Sequence, residues 1–97
     1  MADYILLMHG DAIGERETDW PTYLDRLSAA GRLRGGSAIG RGACFRREGV
    51  AGVPADHLTG FIRITATDLD DAATCLPGNP VYEAGGTVEI RLLPEDD

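Results

Sequence analysis

Two histidines, with carboxylates near each in the sequence, are the residues of this 97-residue chain best suited to move a proton. His9 closes the apolar run Tyr4–Met8, and Asp11 follows it. Asp56 and His57 stand just before a second apolar stretch that includes Phe61–Ala66. A carboxylate beside an imidazole fixes its tautomer and raises its basicity, as a general base requires near neutral pH. If the two stretches are antiparallel neighbours, the end of one lies beside the start of the other. His9, Asp11, Asp56 and His57 then share one edge, expected to open onto a pocket, and are the candidate catalytic residues. The competing reading gives them ordinary loop-edge hydrogen bonds. Arg63, Glu89 and Arg91 have two readings as well. They could form an anion-binding set with Glu89 ordering the arginines, or a cross-strand ladder of ion pairs. Trp20 is a further candidate for substrate binding, although Trp20 and Tyr23 also suit a helix-to-sheet core. Two His and two Asp could hold a divalent metal, but no pair has a helical ligand spacing. No metal and no cofactor are expected.

Composition removes other chemistries. All nine basic residues are arginine, so a Schiff-base lysine and a phosphate-loop lysine are both excluded. Gly35-Gly36-Ser37-Ala38-Ile39 lacks the closing glycine of a nucleophile elbow. Gly40 and Gly42 match no nucleotide fingerprint. A net charge of −7 argues against nucleic acid as a partner. Cys44 and Cys75 form no metal spacing and read as reduced structural thiols in a cytoplasmic protein. Tyr4–Met8 is too short for a signal peptide or a membrane span.

These residues need elements to position them. Tyr4–Met8 is apolar on both faces, the mark of a central strand. Trp20, Tyr23, Leu24, Leu27 and Ala30 share a helical face, with Thr18 or Asp19 as cap, Pro21 in the first turn and Gly31 as the stop. Ser37–Ile39 and Ala43–Arg47 read as one strand broken by Gly40 and Gly42. Glu48-Gly49 reads as a turn, and Val50–Val53 as a hairpin arm. In Phe61–Ala66, Ile62, Ile64 and Ala66 oppose Phe61, Arg63 and Thr65. A second helix is capped by Thr67 or Asp68. It carries Leu69, Ala72, Ala73 and Leu76 on one face and stops at Pro77-Gly78-Asn79-Pro80. Thr87–Leu93 is the last strand, and Glu95–Asp97 a solvated tail. The pattern is one α+β domain over residues 1–97, a ferredoxin-like βαββαβ unit with antiparallel sheet order 4-1-3-2. Its helices cover only one face of the sheet.

Several segments also resemble the YCII-related (DGPF) family. They are Tyr4-Ile5-Leu6-Leu7-Met8-His9-Gly10-Asp11, Leu27-Ser28-Ala29-Ala30-Gly31-Arg32-Leu33, Gly60-Phe61-Ile62, Asp68-Leu69-Asp70-Asp71-Ala72 and Val88-Glu89-Ile90-Arg91. The resemblance implies a protomer that pairs through its sheet into a dimeric α/β barrel, a small-molecule pocket, and a His/Asp site in some members. The chain departs from the family at Gly52–His57, where the Asp-Gly-Pro-Phe motif would fall. Only Pro54 and an acid keep that pattern, so the motif gives no basis for assigning roles there.

Two functions fit. One is a cofactor-independent enzyme of proton transfer on a small organic molecule, covering isomerisation, elimination or dehalogenation. The other is a non-catalytic module that binds a small ligand or another protein. Either requires a cover for the second sheet face, and a second copy of the chain is the economical one. Light scattering at micromolar concentration should therefore return the mass of a homodimer. Phe61→Asp should shift it toward monomer and lower stability. A monomer mass for the unmodified chain excludes sheet-to-sheet pairing.

Overall fold

Side-chain alternation along one strand organises the molecule. A computed structural model describes residues 1–95, apart from the side chain of Thr18. Asp96 and Asp97 of the expected tail, and Thr18 as a capping side chain, lie outside the described residues. Strand β1 (Ala2–His9) is central, antiparallel to β3 (Leu58–Ala66) on one side and β4 (Val88–Leu93) on the other. β2 (Leu33–Ala38) lies outside β3. The order β2-β3-β1-β4 is the expected 4-1-3-2 met from the opposite edge.

Tyr4, Leu6 and Met8 of β1 meet Ile62, Ile64 and Ala66 of β3 on one face, and all six are buried. Three helices cover them: α1 (Trp20–Ala29), α2 (Leu69–Ala73) and α3 (Pro80–Glu83). They bring Tyr23, Leu27, Ala72 and Val81 into the same core. Leu6 and Ile64 are fully buried, each contributing about 1.5–3 kcal/mol relative to exposure. This is a ferredoxin-like α+β fold. Asp3, Ile5, Leu7 and His9 point to the other face, with Arg63 on β3 and Glu89 and Arg91 on β4. All are partly or wholly exposed.

Local chemistry sets most boundaries. Gly31, at φ 72°, ends α1. Its N–H bonds to the Ser28 carbonyl and that of Arg32 to the Leu27 carbonyl, the paired pattern of a left-handed helix stop. Asp68 caps α2 by accepting from the Asp71 N–H at 2.8 Å, and Asp71 accepts in turn from the Thr67 N–H at 2.9 Å. Asp19 occupies the position before α1 but makes no capping bond. Its carboxylate faces Arg16 at 3.7 Å, after a single 3-10 turn at Glu17–Asp19.

Four sequence expectations need correction. The second strand lies at Leu33–Ala38, so Ala43–Arg47 is not strand and Val50–Val53 is not a hairpin arm. β2 is an edge strand, and residues 39–57 have no ladder to extend. Four glycines in that stretch further disfavour extended pairing. It forms a broad loop that turns at Gly49, where Arg46 donates to the Val50 carbonyl. Pro77 to Pro80 ends one helix and starts another. Asn79 and Pro80 are also an N-cap and a first-turn proline, and they open α3. Leu69 is 54% exposed rather than core. Among the described residues, no helix is long and apolar enough to cross a membrane.

Asn79 is fully buried and holds α3 in place, its Oδ1 accepting from the N–H groups of Val81 and Tyr82 at 3.0 and 3.1 Å. Removing it strips a cap and leaves buried donors unpaired. Asn79→Ala should cost about 1–3 kcal/mol, visible as a lower urea midpoint at an unchanged denaturant slope.

Candidate active site

His9 is the last residue of β1, and the strand's alternation turns its ring onto the open face. His57 lies just before β3, whose start pairs with the end of β1. The two rings meet edge to face, with centroids 4.9 Å apart and planes at 70°. The expectation that both histidines share one edge therefore holds as geometry. The carboxylate partner of His9 is neither Asp11 nor Asp56, the two expected. His9 Nε2 lies 3.0 Å from Oε1 of Glu89 on β4, and the other oxygen of Glu89 accepts from Arg91 at 3.1 Å. Glu89 and His9 are diagonal neighbours across the β1–β4 pair, where Leu7 stands opposite Glu89. Membership of one face was the available signal, since His9 alternates with the buried Leu6 and Met8, and Glu89 with the core-packed Val88 and Ile90.

Asp11 lies at the same edge but turns to the loop before β4. It accepts from the Thr87 N–H at 2.8 Å and from the Thr87 hydroxyl at 2.7 Å. Those two bonds, the hydroxyl's first, hold its carboxyl below the ordinary carboxylate range, with a smaller contribution from His9. The Asp56 side chain is exposed and makes no hydrogen bond or ion pair among the described residues. Arg63 reaches back to Asp3 at 3.4 Å. The open face thus carries two ion-paired arginines, which stand opposite Ile5 of β1 from the strands on either side. Glu89 pairs with Arg91 alone and does not order both arginines, as the anion-binding reading had it.

The ring nitrogen of His9 that carries the hydrogen follows from the state of Glu89. The hydrogen bond from His9, and next the one from Arg91, keep the Glu89 carboxyl below its ordinary value. An ionised carboxylate only accepts, so the hydrogen is on Nε2 of His9. In the neutral ring this leaves Nδ1 with the free lone pair, the arrangement of an oriented base.

Trp20 is on the other side of the sheet. It lines a cleft of about 880 Å³ between α1 and the β2–β3 edge, with Met8, Leu24, Leu33, Ile62 and Val81 as apolar walls. Its indole N–H donates to Glu15 at 2.8 Å, and its ring meets Tyr23 edge to face. Neither histidine lines this cleft, so the expectation that the histidine edge opens onto a pocket is not met there. Sequence reasoning also missed Glu15, which sits in a glycine-containing loop with no periodicity to mark it.

No protein-family model and no curated protein matches the sequence. Among solved structures, the chain is similar to 5-chloro-2-hydroxyhydroquinone dehydrochlorinase from Burkholderia phenoliruptrix, determined in complex with 2,5-dihydroxybenzoquinone. The TM-score is 0.57 at 17% identity, covering 96% of this chain and 95% of that one. At that identity the likeness establishes a shared fold.

Glu89 has a lowered carboxyl, so its contribution to stability is complete above its ordinary value of 4.5 and disappears as pH falls through the lower folded value. Urea midpoints measured from pH 6 to pH 3 should thus fall less steeply below about pH 4.5 in Glu89→Gln than in the parent. Identical slopes would mean that the His9–Glu89 bond is not formed in solution.

Proposed function

We propose that this chain is a YCII-type enzyme that works as a homodimer without a cofactor and transfers a proton on a small organic molecule, with His9 as the base. One observation carries the reading: a histidine held at 3.0 Å by an ionised, arginine-supported glutamate, with a second histidine against its ring. His9 takes a proton from the substrate at Nδ1, and Glu89 stabilises the imidazolium that forms. Arg91 keeps Glu89 ionised and aligned. Arg63, Arg91 and His57 supply positive or donor groups for an anionic substrate or a departing anion. Asp11 acts as a positioning residue by tying the end of β1 to Thr87. Asp56 is left without a part in this scheme. The fold neighbour's chemistry is in line with this reading, because loss of HCl needs a proton removed from the substrate and a chloride that leaves with its bonding electrons.

The homodimer completes the site. The open face exposes Ile5, Leu7 and Phe61 to water in part, and the loop at residues 39–57 leaves Phe45, Val50 and Val53 almost wholly exposed. The Cα radius of gyration, 14.8 Å, exceeds the ~12.5 Å of a compact chain this long. These features support a second copy seated sheet against sheet, which would exclude water from the histidines. We assign the protein to the cytoplasm, where both thiols stay reduced.

A second reading, a module that binds a small ligand without turning it over, is favoured by the absence of both histidines from the cleft beside Trp20. Activity separates the two. Chloride release from 5-chloro-2-hydroxyhydroquinone, the substrate named for the fold neighbour, and proton exchange on related hydroxyquinones are the measurements. His9→Ala should lower turnover about 10²–10⁴-fold with the circular dichroism spectrum unchanged, and Glu89→Gln should lower it less. Turnover that survives His9→Ala, or none by the parent across the series, overturns the enzymatic reading.

A further inference from the structure

We propose that the cleft between α1 and the β2–β3 edge is a separate small-molecule site, selective for flat ring compounds that carry no negative charge. It does not rest on the histidine chemistry, because no residue of that cluster lines it.

Its size comes first. A volume of about 880 Å³ is in the range of ligand pockets and far exceeds a packing defect. Its shape follows from residue types. Gly35, Gly36 and Gly60 contribute peptide backbone and no side chains to the sheet wall. Gly36 has no room for one: a Cβ there would stand 2.6 Å from the Phe61 carbonyl oxygen. The wall is therefore bare backbone at these glycines, with Met8, Leu33 and Ile62 beside them, and a planar molecule can lie against peptide groups there. Across from the strands, α1 presents Trp20. The bond to Glu15 fixes the indole, and Tyr23 packs against it at a centroid distance of 5.8 Å. A pre-oriented aromatic face costs little to order on binding.

The charge of the ligand follows from the rim. Glu15 and Glu17 are the ionisable side chains among the described residues lining the cleft, and no arginine or histidine joins them. An anion placed there would lose water against two carboxylates with no compensating cation. A cationic ring would gain from both carboxylates and from the face of Trp20. The open sheet face differs, since its two arginines are paired with Asp3 and Glu89 and its charges balance. One chain thus presents two chemically distinct sites on the two faces of one sheet.

The test uses the full chain and two bicyclic probes of similar size, 1-methylquinolinium and 2-naphthoate, followed by ¹H–¹⁵N correlation spectra. The single tryptophan gives an unambiguous indole N–H signal. With 1-methylquinolinium, that signal and the amides of Gly35, Gly36 and Gly60 should shift, with affinity at least about ten-fold above that for 2-naphthoate. Replacing Glu15 and Glu17 together by Gln keeps an acceptor for the indole and should sharply reduce the preference, leaving the part due to the Trp20 face. Ala38 lies on the same strand face as Gly36, so Ala38→Phe should fill the cleft and abolish the shifts. Equal affinity for the two probes overturns the proposal, as do shifts confined to the His9 face or a preference undiminished in the double Gln variant. Should Ala38→Phe fail to fold, the charge preference and the shift map decide the matter alone.

Discussion

The position and register of β1 govern the rest of this structure. β1 pairs on both sides, and Leu7 stands opposite both Phe61 and Glu89. That register places Tyr4, Leu6 and Met8 under the helices and Asp3, Ile5, Leu7 and His9 on the far face. A slip of one residue would exchange the sets. Asp3 and His9 would then enter the core beneath Tyr23 and Leu27, and Leu6 would lose its burial. Burying an unpaired carboxylate and exposing a packed leucine are both unfavourable by several kcal/mol. The register is therefore held from both faces. The proximity of His9 to Glu89 is a consequence of this register and does not depend on a dedicated local motif.

What was legible in the sequence follows from how far each signal reaches along the chain. Gly31 and Asp68 act within a few residues, and both perform the expected parts. The apolar Tyr4–Met8 run gives a central strand, because a residue's polarity reports its burial wherever the partner comes from. The sheet order follows from that and from chain connectivity. The failures are those in which a second segment had to be known. Residues 43–47 read as a strand from their apolar residues, yet without a neighbouring ladder they form none. Asn79-Pro80 carries a stop and a start at once, and only packing against Met8 and the core decides that a helix begins there.

The site was legible to the same degree. Two histidines on one edge follow from antiparallel pairing alone. The partner of His9 required the register of β1 against β4, a contact between residues 80 apart in the chain. Asp11 is closer in sequence but turns to Thr87, where an N–H and a hydroxyl converge on its carboxylate. Proximity in sequence lost to hydrogen-bond geometry. The cleft was hidden for another reason. It is built from what glycines at positions 35, 36 and 60 omit, and patterns of hydrophobicity record side chains that are present.

The two faces differ in electrostatics because a sheet is one backbone thick and its side chains alternate. On the open face the charges pair: Arg63 with Asp3, and Arg91 with Glu89, which also holds His9. A paired set of this kind tolerates burial, and it would be buried if a second copy covered the face, since each charge keeps a partner when water leaves. On the helix side, Glu15 and Glu17 have no basic neighbour within the cleft, so that surface remains acidic and open to solvent. Apolar Ile5 and Leu7 adjoin the paired charges, whereas Trp20 and bare backbone adjoin the unpaired ones. The first combination suits a face that becomes dry on association. The second suits one that stays wet until a small molecule displaces the water.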